Sequence, residues 1–340
     1  MLRKSGGPHI ETFWPSAVVP GGELLIRGRG FQTNTNHGPE VRFGDRQAAL
    51  SLWGDTVVVA RVPEGAENPL RVVTARGESE PVSLAVARAI ASDLHQVANP
   101  AVDSEGNIYA TFSGQRGQRV AVSLFRITPD FVVRPLPVSL TNPTGLALDR
   151  FGVLYVSCRN DGTIYRVEPD GRAEKWIEGM GIATGLAFDQ NGFLYVGDRS
   201  GTIFKISPDR EIFVFATLEP SVAAYHLAFS PAGELFVTGP TTSSYDRVYR
   251  ISATGEVSEF YAGLGRPQGL AFDREGNLYV AASLGGRRGL VRITPRAEAE
   301  LVVAGPQLVG VALLYRRAIL ATNSTLYLLD WNVEGLPLGG

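Results

Sequence analysis

Three near copies of one hexapeptide decide the reading of this chain: Thr144-Gly-Leu-Ala-Leu-Asp149, Thr184-Gly-Leu-Ala-Phe-Asp189 and Gln268-Gly-Leu-Ala-Phe-Asp273. Degenerate versions stand at Ala98-Asn-Pro-Ala-Val-Asp103, Tyr225-His-Leu-Ala-Phe-Ser230 and Val309-Gly-Val-Ala-Leu-Leu314. In five of the six a turn and a second apolar run follow, as in Val153-Leu-Tyr-Val and Phe193-Leu-Tyr-Val. A third run then alternates, as in Ile164-Tyr-Arg-Val and Val248-Tyr-Arg-Ile. The unit recurs roughly every 40–46 residues, the spacing of four-stranded propeller blades.

Each run suits one place in such a blade. The first is small and apolar on both sides, as an innermost strand crowded around an axis must be. The second is apolar throughout, hence buried on both faces, while the third turns a basic residue outward. The fourth is more polar, as in Ala173-Glu-Lys-Trp-Ile-Glu178, which suits an edge. Turns such as Asp273-Arg-Glu-Gly-Asn277 supply the Asp, Gly and Asn that tight reversals need. Six copies fill residues 94 to about 335. The sixth shows three strands only, and its missing outer strand is assigned to Ala87–Leu94, with Leu336–Leu338 as the alternative.

Residues 8–86 follow a different pattern. Pro8-His-Ile10, Gly21-Gly22, Leu24-Leu-Ile-Arg-Gly-Arg-Gly-Phe31, Val41-Arg-Phe-Gly44 and Val57-Val-Val-Ala-Arg-Val-Pro63 are short strands separated by turn residues. That spacing predicts a small sandwich. The expected fold class is therefore all-β: an immunoglobulin-like β-sandwich over 1–87 and a six-bladed β-propeller over 88–340.

Both halves resemble known families. Blades reading Gly-Leu-Ala-Phe-Asp-x-x-Gly-x-Leu-Tyr-Val resemble NHL-repeat propellers and the senescence-marker-protein/gluconolactonase-like (SMP-30) group. The N-terminal string, with Pro-x-Ile, Gly-Gly before a strand, Gly-x-Gly-Phe after it and a late Val-Pro, resembles an IPT/TIG domain. The second resemblance implies an adhesive or spacer role for that domain rather than catalysis.

The bulk properties exclude several classes. A net charge of −2 argues against a nucleic-acid binder, which would carry a strongly basic domain. Cys158 is alone, so no intrachain disulfide and no cysteine-based zinc site is expected. No run approaches the length of a membrane span. Met1-Leu-Arg-Lys-Ser-Gly-Gly7 has no apolar stretch behind it, so the chain as written reads as cytoplasmic. A leader already removed would leave the same start and place the protein outside the cytoplasm.

Strand direction predicts where chemistry sits. Strand-one starts and strand-two ends share one face of a propeller, which gathers Asn99, Thr144, Thr184, Tyr225, His226 and Gln268 with Arg159, Asn160, Asp198, Arg199 and Asn323. Such a polar ring suits a small ligand. Loops on that face carry Arg116, Arg119, Arg159, Arg199, Arg266, Arg287 and Arg288. The opposite turns carry Asp103, Asp149, Asp189 and Asp273. An electropositive mouth would draw an anion, although aspartates that merely start turns and arginines that merely solvate loops account for the same pattern. No Gly-x-x-x-x-Gly-Lys loop, His-Glu-x-x-His or Gly-x-Ser-x-Gly occurs.

The gluconolactonase resemblance implies a divalent cation (Ca, Mg or Zn) held by a Glu of the first blade, by Asn residues before the Gly of strand one, and by an Asp ending strand two. Asp198 matches the last. Thr144, Thr184, Tyr225 and Gln268 replace the Asn residues, and Asn99-Pro100 stands where the Glu would be. Virginiamycin-lyase-like propellers carry a catalytic His directly before the Gly, the place of Tyr225 here, so His226 is displaced by one residue. His9, His37 and His95 fall in end or loop contexts. The catalytic candidates are thus His226 and Asp198. The expected function is a binding propeller for a small anionic ligand or a protein partner. A metal-dependent lactonase is the alternative, and a lyase using His226 a third.

Overall fold

A computed structural model describes residues 6–32 and 38–336, and every element in it is a strand. His37 and Leu338, weighed above, lie outside the described residues. The chain divides into two compact units. One comprises residues 1–88 with 287–290 and 301–306; the other comprises 89–286, 291–300 and 307–340.

The first unit is a sandwich. One sheet runs in the order His9–Trp14, Glu23–Arg29, Val57–Arg61, Ala49–Trp53, and the other in the order Arg46–Gln47, Glu40–Phe43, Leu70–Thr74, Gly77–Glu78. Glu23–Arg29 alternates strictly, with Leu24, Ile26 and Gly28 inward and the charged residues outward. Leu24, Ile26, Phe31, Val41, Phe43, Val58, Leu70 and Val72 fill the core between the sheets. The Gly-Arg-Gly-Phe string has a steric cause: a Cβ on Gly28 would stand 2.0 Å from the His9 carbonyl oxygen and 2.6 Å from the Phe31 ring. A short strand, Ala17–Val18, pairs in parallel with Val303 and Ala304 on one side and with Ala85–Val86 on the other.

The second unit is a β-propeller. Four antiparallel sheets have four consecutive strands each: Ala101–Val102, Ile108–Thr111, Leu124–Ile127, Val133–Leu136 (sheet one); Pro143–Leu148, Leu154–Cys158, Thr163–Val167, Ala173–Ile177 (sheet two); Ala183–Phe188, Leu194–Asp198, Thr202–Ile206, Ile212–Thr217 (sheet three); His226–Phe229, Leu235–Thr238, Asp246–Ile251, Val257–Leu264 (sheet four). Sheet five takes Leu270–Phe272, Leu278–Leu284, Arg287–Ile293 and Ala299–Ala304, and its two outer strands lend residues to the first unit. Sheet six has Leu308–Leu314, Arg317–Thr322 and Leu326–Asp330, with Arg88–Ala91 as its outermost strand. First strands lie beside one another in chain order, and Leu308–Leu314 lies beside Ala101–Val102.

Aromatic residues at fixed repeat positions join the sheets. Tyr155 meets Trp176 of its own sheet and Phe188 of the next, edge to face, at 5.2 and 5.0 Å between ring centres. Tyr195 repeats this with Phe215 and Phe229, and Phe236 with Phe260 and Phe272. From sheet two to sheet five the aromatic residue of the second strand and the Phe ending the next sheet's first strand are thus partners across the seam, in a geometry rings favour. One outer strand departs from the polar pattern expected of an edge. Ile212, Phe213 and Val214 of sheet three are 44%, 49% and 67% exposed.

Candidate functional site at the channel mouth

Thr144, Thr184, His226 and Gln268, from the starts of four inner strands, line one cavity of about 250 Å³ with Arg159, Arg199 and Asn323. Val309, at another strand-one start, lines it too; Gln96, Val97 and the segment Val222–Ala224 complete it, and strand direction alone does not single these last out. Gln96 lies just ahead of the degenerate first repeat, whose weak motif hid the start of that strand.

The site is cationic and short of partners. Arg159 is half-buried, and burial lowers its pKa, with Arg199 and then Arg116 adding repulsion. Among the described residues no carboxylate lies within ion-pair distance of it. Arg199 is held toward its neighbour sheet by the Ser221 and Val222 carbonyl oxygens, at 3.4 and 3.1 Å. Gln96 is 1% exposed, yet its Nε2 has no hydrogen-bond acceptor, and the buried Oε1 of Gln268 has no donor. Buried amide atoms are rarely left unpaired in folded proteins, so an orphan donor and an orphan acceptor in one cavity mark a place for a ligand or water.

His226 is 3% exposed, and burial alone pulls its imidazole down to about 3. It is therefore neutral at ordinary pH, a hydrogen-bonding group and a weak base.

Other expected site residues are engaged elsewhere. Asn99 does not line the cavity: its Nδ2 donates to the Leu270 carbonyl at 2.8 Å and its Oδ1 accepts from the Val311 N–H at 3.0 Å. Tyr225 is buried, with its ring against Gly197 and Gly239 and its hydroxyl donating to the Glu219 carbonyl. Asn160 is exposed in a turn and does not line the cavity. The Cys158 thiol is fully buried, and burial pushes its pKa up. Arg287, in the first unit, lies over the Trp14 ring at 5.1 Å.

Asp198 is a turn carboxylate. Its Oδ1 accepts the Ile182 N–H at 2.7 Å and its Oδ2 accepts the Ser200 hydroxyl. Gly181 packs directly on the carboxyl group, where a Cβ would stand 2.8 Å away. No group of three or more acidic, His or Cys side chains able to hold a metal occurs among the described residues. A hard cation wants several anionic oxygens, and the one matched carboxylate has both of its oxygens committed. The residues present do not fit a divalent cation. On the opposite face the aspartates also serve turns: Asp149 Oδ1 accepts the N–H groups of Phe151 and Val153, and Asp189 Oδ1 those of Asn191 and Phe193.

Comparison with known proteins places this architecture in context. Residues 8–87 match the IPT/TIG domain family. No curated protein matches the sequence. Among solved structures, a gluconolactonase from Xanthomonas campestris is 17% identical with a TM-score of 0.59, covering 72% of this chain and 89% of its own. An auxiliary nutrient binding protein from Bacteroides thetaiotaomicron is 12% identical with a TM-score of 0.57, covering 97% and 99%. A catalytically inactive virginiamycin B lyase from Staphylococcus aureus, solved with quinupristin, is 13% identical with a TM-score of 0.52, covering 97% of each chain. At these identities the likeness is one of fold. The class defined by fold and family match is an all-β protein that joins an immunoglobulin-like TIG domain to a β-propeller.

Proposed function

We propose that this protein is a ligand-binding propeller of NHL type, with six blades and a TIG accessory domain, that takes a small anionic molecule at the channel mouth. The observation that carries the reading is the half-buried Arg159, which has Arg199 and Arg116 beside it and, among the described residues, no carboxylate within ion-pair distance. A planar guanidinium offers two parallel donors, which suits a carboxylate. The polar lining of Thr144, Thr184, Gln268 and Asn323 suits hydroxyls of the same molecule, so a sugar acid or similar hydroxy acid suits the cavity. The nutrient-binding structural neighbour supports binding as the task. The six-blade count rests on the ring of first strands, from Ala101–Val102 round to Leu308–Leu314. The lactonase alternative lacks a fitting cation cage, and the lyase alternative would need a stronger base than a buried, neutral His226.

Calorimetry with a panel of aldonic and uronic acids tests the proposal. At least one acid is expected to bind, and to bind less tightly as salt is added. Hydrogen bonds to charged groups contribute about 1.5–3 kcal/mol each, so Arg159→Ala with Arg199→Ala should weaken it by at least ~100-fold while the protein stays folded. Equal affinity in high salt and in the double variant would overturn the assignment.

A further inference from the structure

A second cleft lies at the other end of the same strands. Strand Ala183–Phe188 runs from Thr184 at the channel mouth to the turn at Asp189, so the two places stand about 17 Å apart at 3.3 Å per residue. The cleft holds about 550 Å³ between sheets three and four, walled by the rings of Tyr195, Phe215 and Phe229. Among the described residues that line it, Lys205 is the one cation. Lys205 Nζ lies 4.4 Å from the centre of the Phe193 ring, 5.4 Å from Tyr195 and 5.7 Å from Phe215.

The repeat provides an internal control for this lysine. The equivalent third-strand residue is Arg166 in sheet two, which stands opposite Glu174 and pairs with it at 3.4 Å and with Glu168 at 3.1 Å. In sheet five Arg292 pairs with Glu300 at 3.0 Å, and in sheet four Arg250 reaches Glu234 at 3.9 Å and Ser258 at 3.4 Å. Arg126 of sheet one interacts with the Tyr109 hydroxyl. Lys205 instead stands opposite Phe213, and among the described residues no carboxylate lies within ion-pair distance of it. Asp189 at the rim is already satisfied by the Asn191 and Phe193 N–H groups and the Tyr195 hydroxyl. The ammonium has aromatic faces for company and, among the described residues, no ion-paired carboxylate, the Asp189 charge at the rim being held by neutral donors, in a cleft large enough for a drug-sized molecule.

We propose that this cleft is a second binding site, for a small monocarboxylate with an aromatic or branched aliphatic body. Lys205 takes the carboxylate, and Tyr195, Phe215 and Phe229 take the body. A single compact ammonium between apolar walls balances one negative charge; a dianion would keep an uncompensated charge beside Asp189.

3-Phenylpropionate, 3-phenylpropanamide and 3-phenylpropylamine are suitable probes, followed by ligand-observed NMR and calorimetry. The acid should show saturable binding to the wild type, and the amide and amine should not. Lys205→Met keeps the stem packed over the rings and should reduce acid binding by at least ~10-fold, the value of one charged hydrogen bond. Lys205→Glu should reverse the preference toward the amine. The Arg159→Ala, Arg199→Ala protein should bind the acid as the wild type does, which separates this cleft from the channel mouth. Melting temperatures check that each variant is folded. The proposal falls if the acid shows no saturable binding at millimolar concentration, if acid and amide bind alike, or if Lys205→Met binds the acid unchanged.

Discussion

His226 occupies a place that the repeat usually gives to glycine. A Cβ on Gly145 would stand 2.2 Å from the Thr184 carbonyl oxygen, and one on Gly185 would stand 2.4 Å from that of Tyr225, because neighbouring inner strands approach too closely there for a side chain. In sheet four the imidazole takes this place and turns to the cavity. Its lowered pKa has a consequence for stability. The folded state binds its proton only near pH 3, whereas the unfolded imidazole titrates near 6.5, so the unfolded state gains protons as pH falls from about 7 toward 3. Stability contributed by neutral His226 is therefore present above the unfolded pKa and is lost as pH falls. Urea unfolding should show a loss from this group of about 2 kcal/mol between pH 7 and pH 5, absent in His226→Gln. Asp198 carries a second prediction at this scale. Asp198→Ala removes an acceptor from the Ile182 N–H and should lower stability by about 1–3 kcal/mol. Neither the wild type nor that variant should gain melting temperature from added calcium, magnesium or zinc; a rise for the wild type alone would reinstate a cation site at Asp198.

At the scale of the element, buried polar side chains lash each inner strand to its neighbour. Ser157 accepts the Gly145 N–H at 2.8 Å and donates to the Thr184 carbonyl oxygen; Thr184 accepts the Tyr225 N–H at 3.0 Å; Thr238 donates to the Gln268 carbonyl oxygen at 2.6 Å. Asn99 does the same between sheets five and six. Asn99→Ala should thus cost about 2–3 kcal/mol in chemical denaturation while leaving ligand affinity at the mouth unchanged. This division explains how far the site was legible. Strand direction decides which strand ends share a face, and that logic brings Thr144, Arg159, Thr184, Arg199, His226, Gln268 and Asn323 around one cavity. It does not say which way a side chain turns, so it groups Asn99 and Tyr225 with residues whose task they do not share. The outer strand of sheet three has its own liability. Ile212–Thr217 carries neither charge nor proline, the usual guards of an open edge. Val214→Lys should raise solubility in static light scattering with a stability change within about 0.5 kcal/mol.

At the scale of the whole molecule, the fold was far more legible than the chemistry. Tyr155, Tyr195 and Phe236 recur because each must meet the next sheet's Phe, and Gly145 and Gly185 recur because adjacent backbones allow nothing larger. Packing at a seam is periodic, so it leaves a period in the sequence. The features that carry the functional reading are exceptions to that period: a histidine for a glycine, a phenylalanine opposite Lys205 where sheet two has a glutamate, and two glutamine amides with unpaired atoms. An exception has no repeat to announce it and shows only once neighbours are known in space.

The strand Arg88–Ala91 pairs with Leu326–Asp330, and this sets a clock on the birth of the protein. On the ribosome, the early half of that pairing emerges 235 residues ahead of Leu326–Asp330, roughly 10–50 s at typical elongation speeds. Throughout that interval sheet six cannot be complete, and until Leu308–Leu314 has been made the inner strand of sheet one lacks its neighbour on that side. Nascent chains stalled with Leu326 still inside the exit tunnel should be cut by protease between sheets, whereas chains released past Asp330 should resist it. Slower translation would lengthen the exposure, and chaperone demand should rise with it.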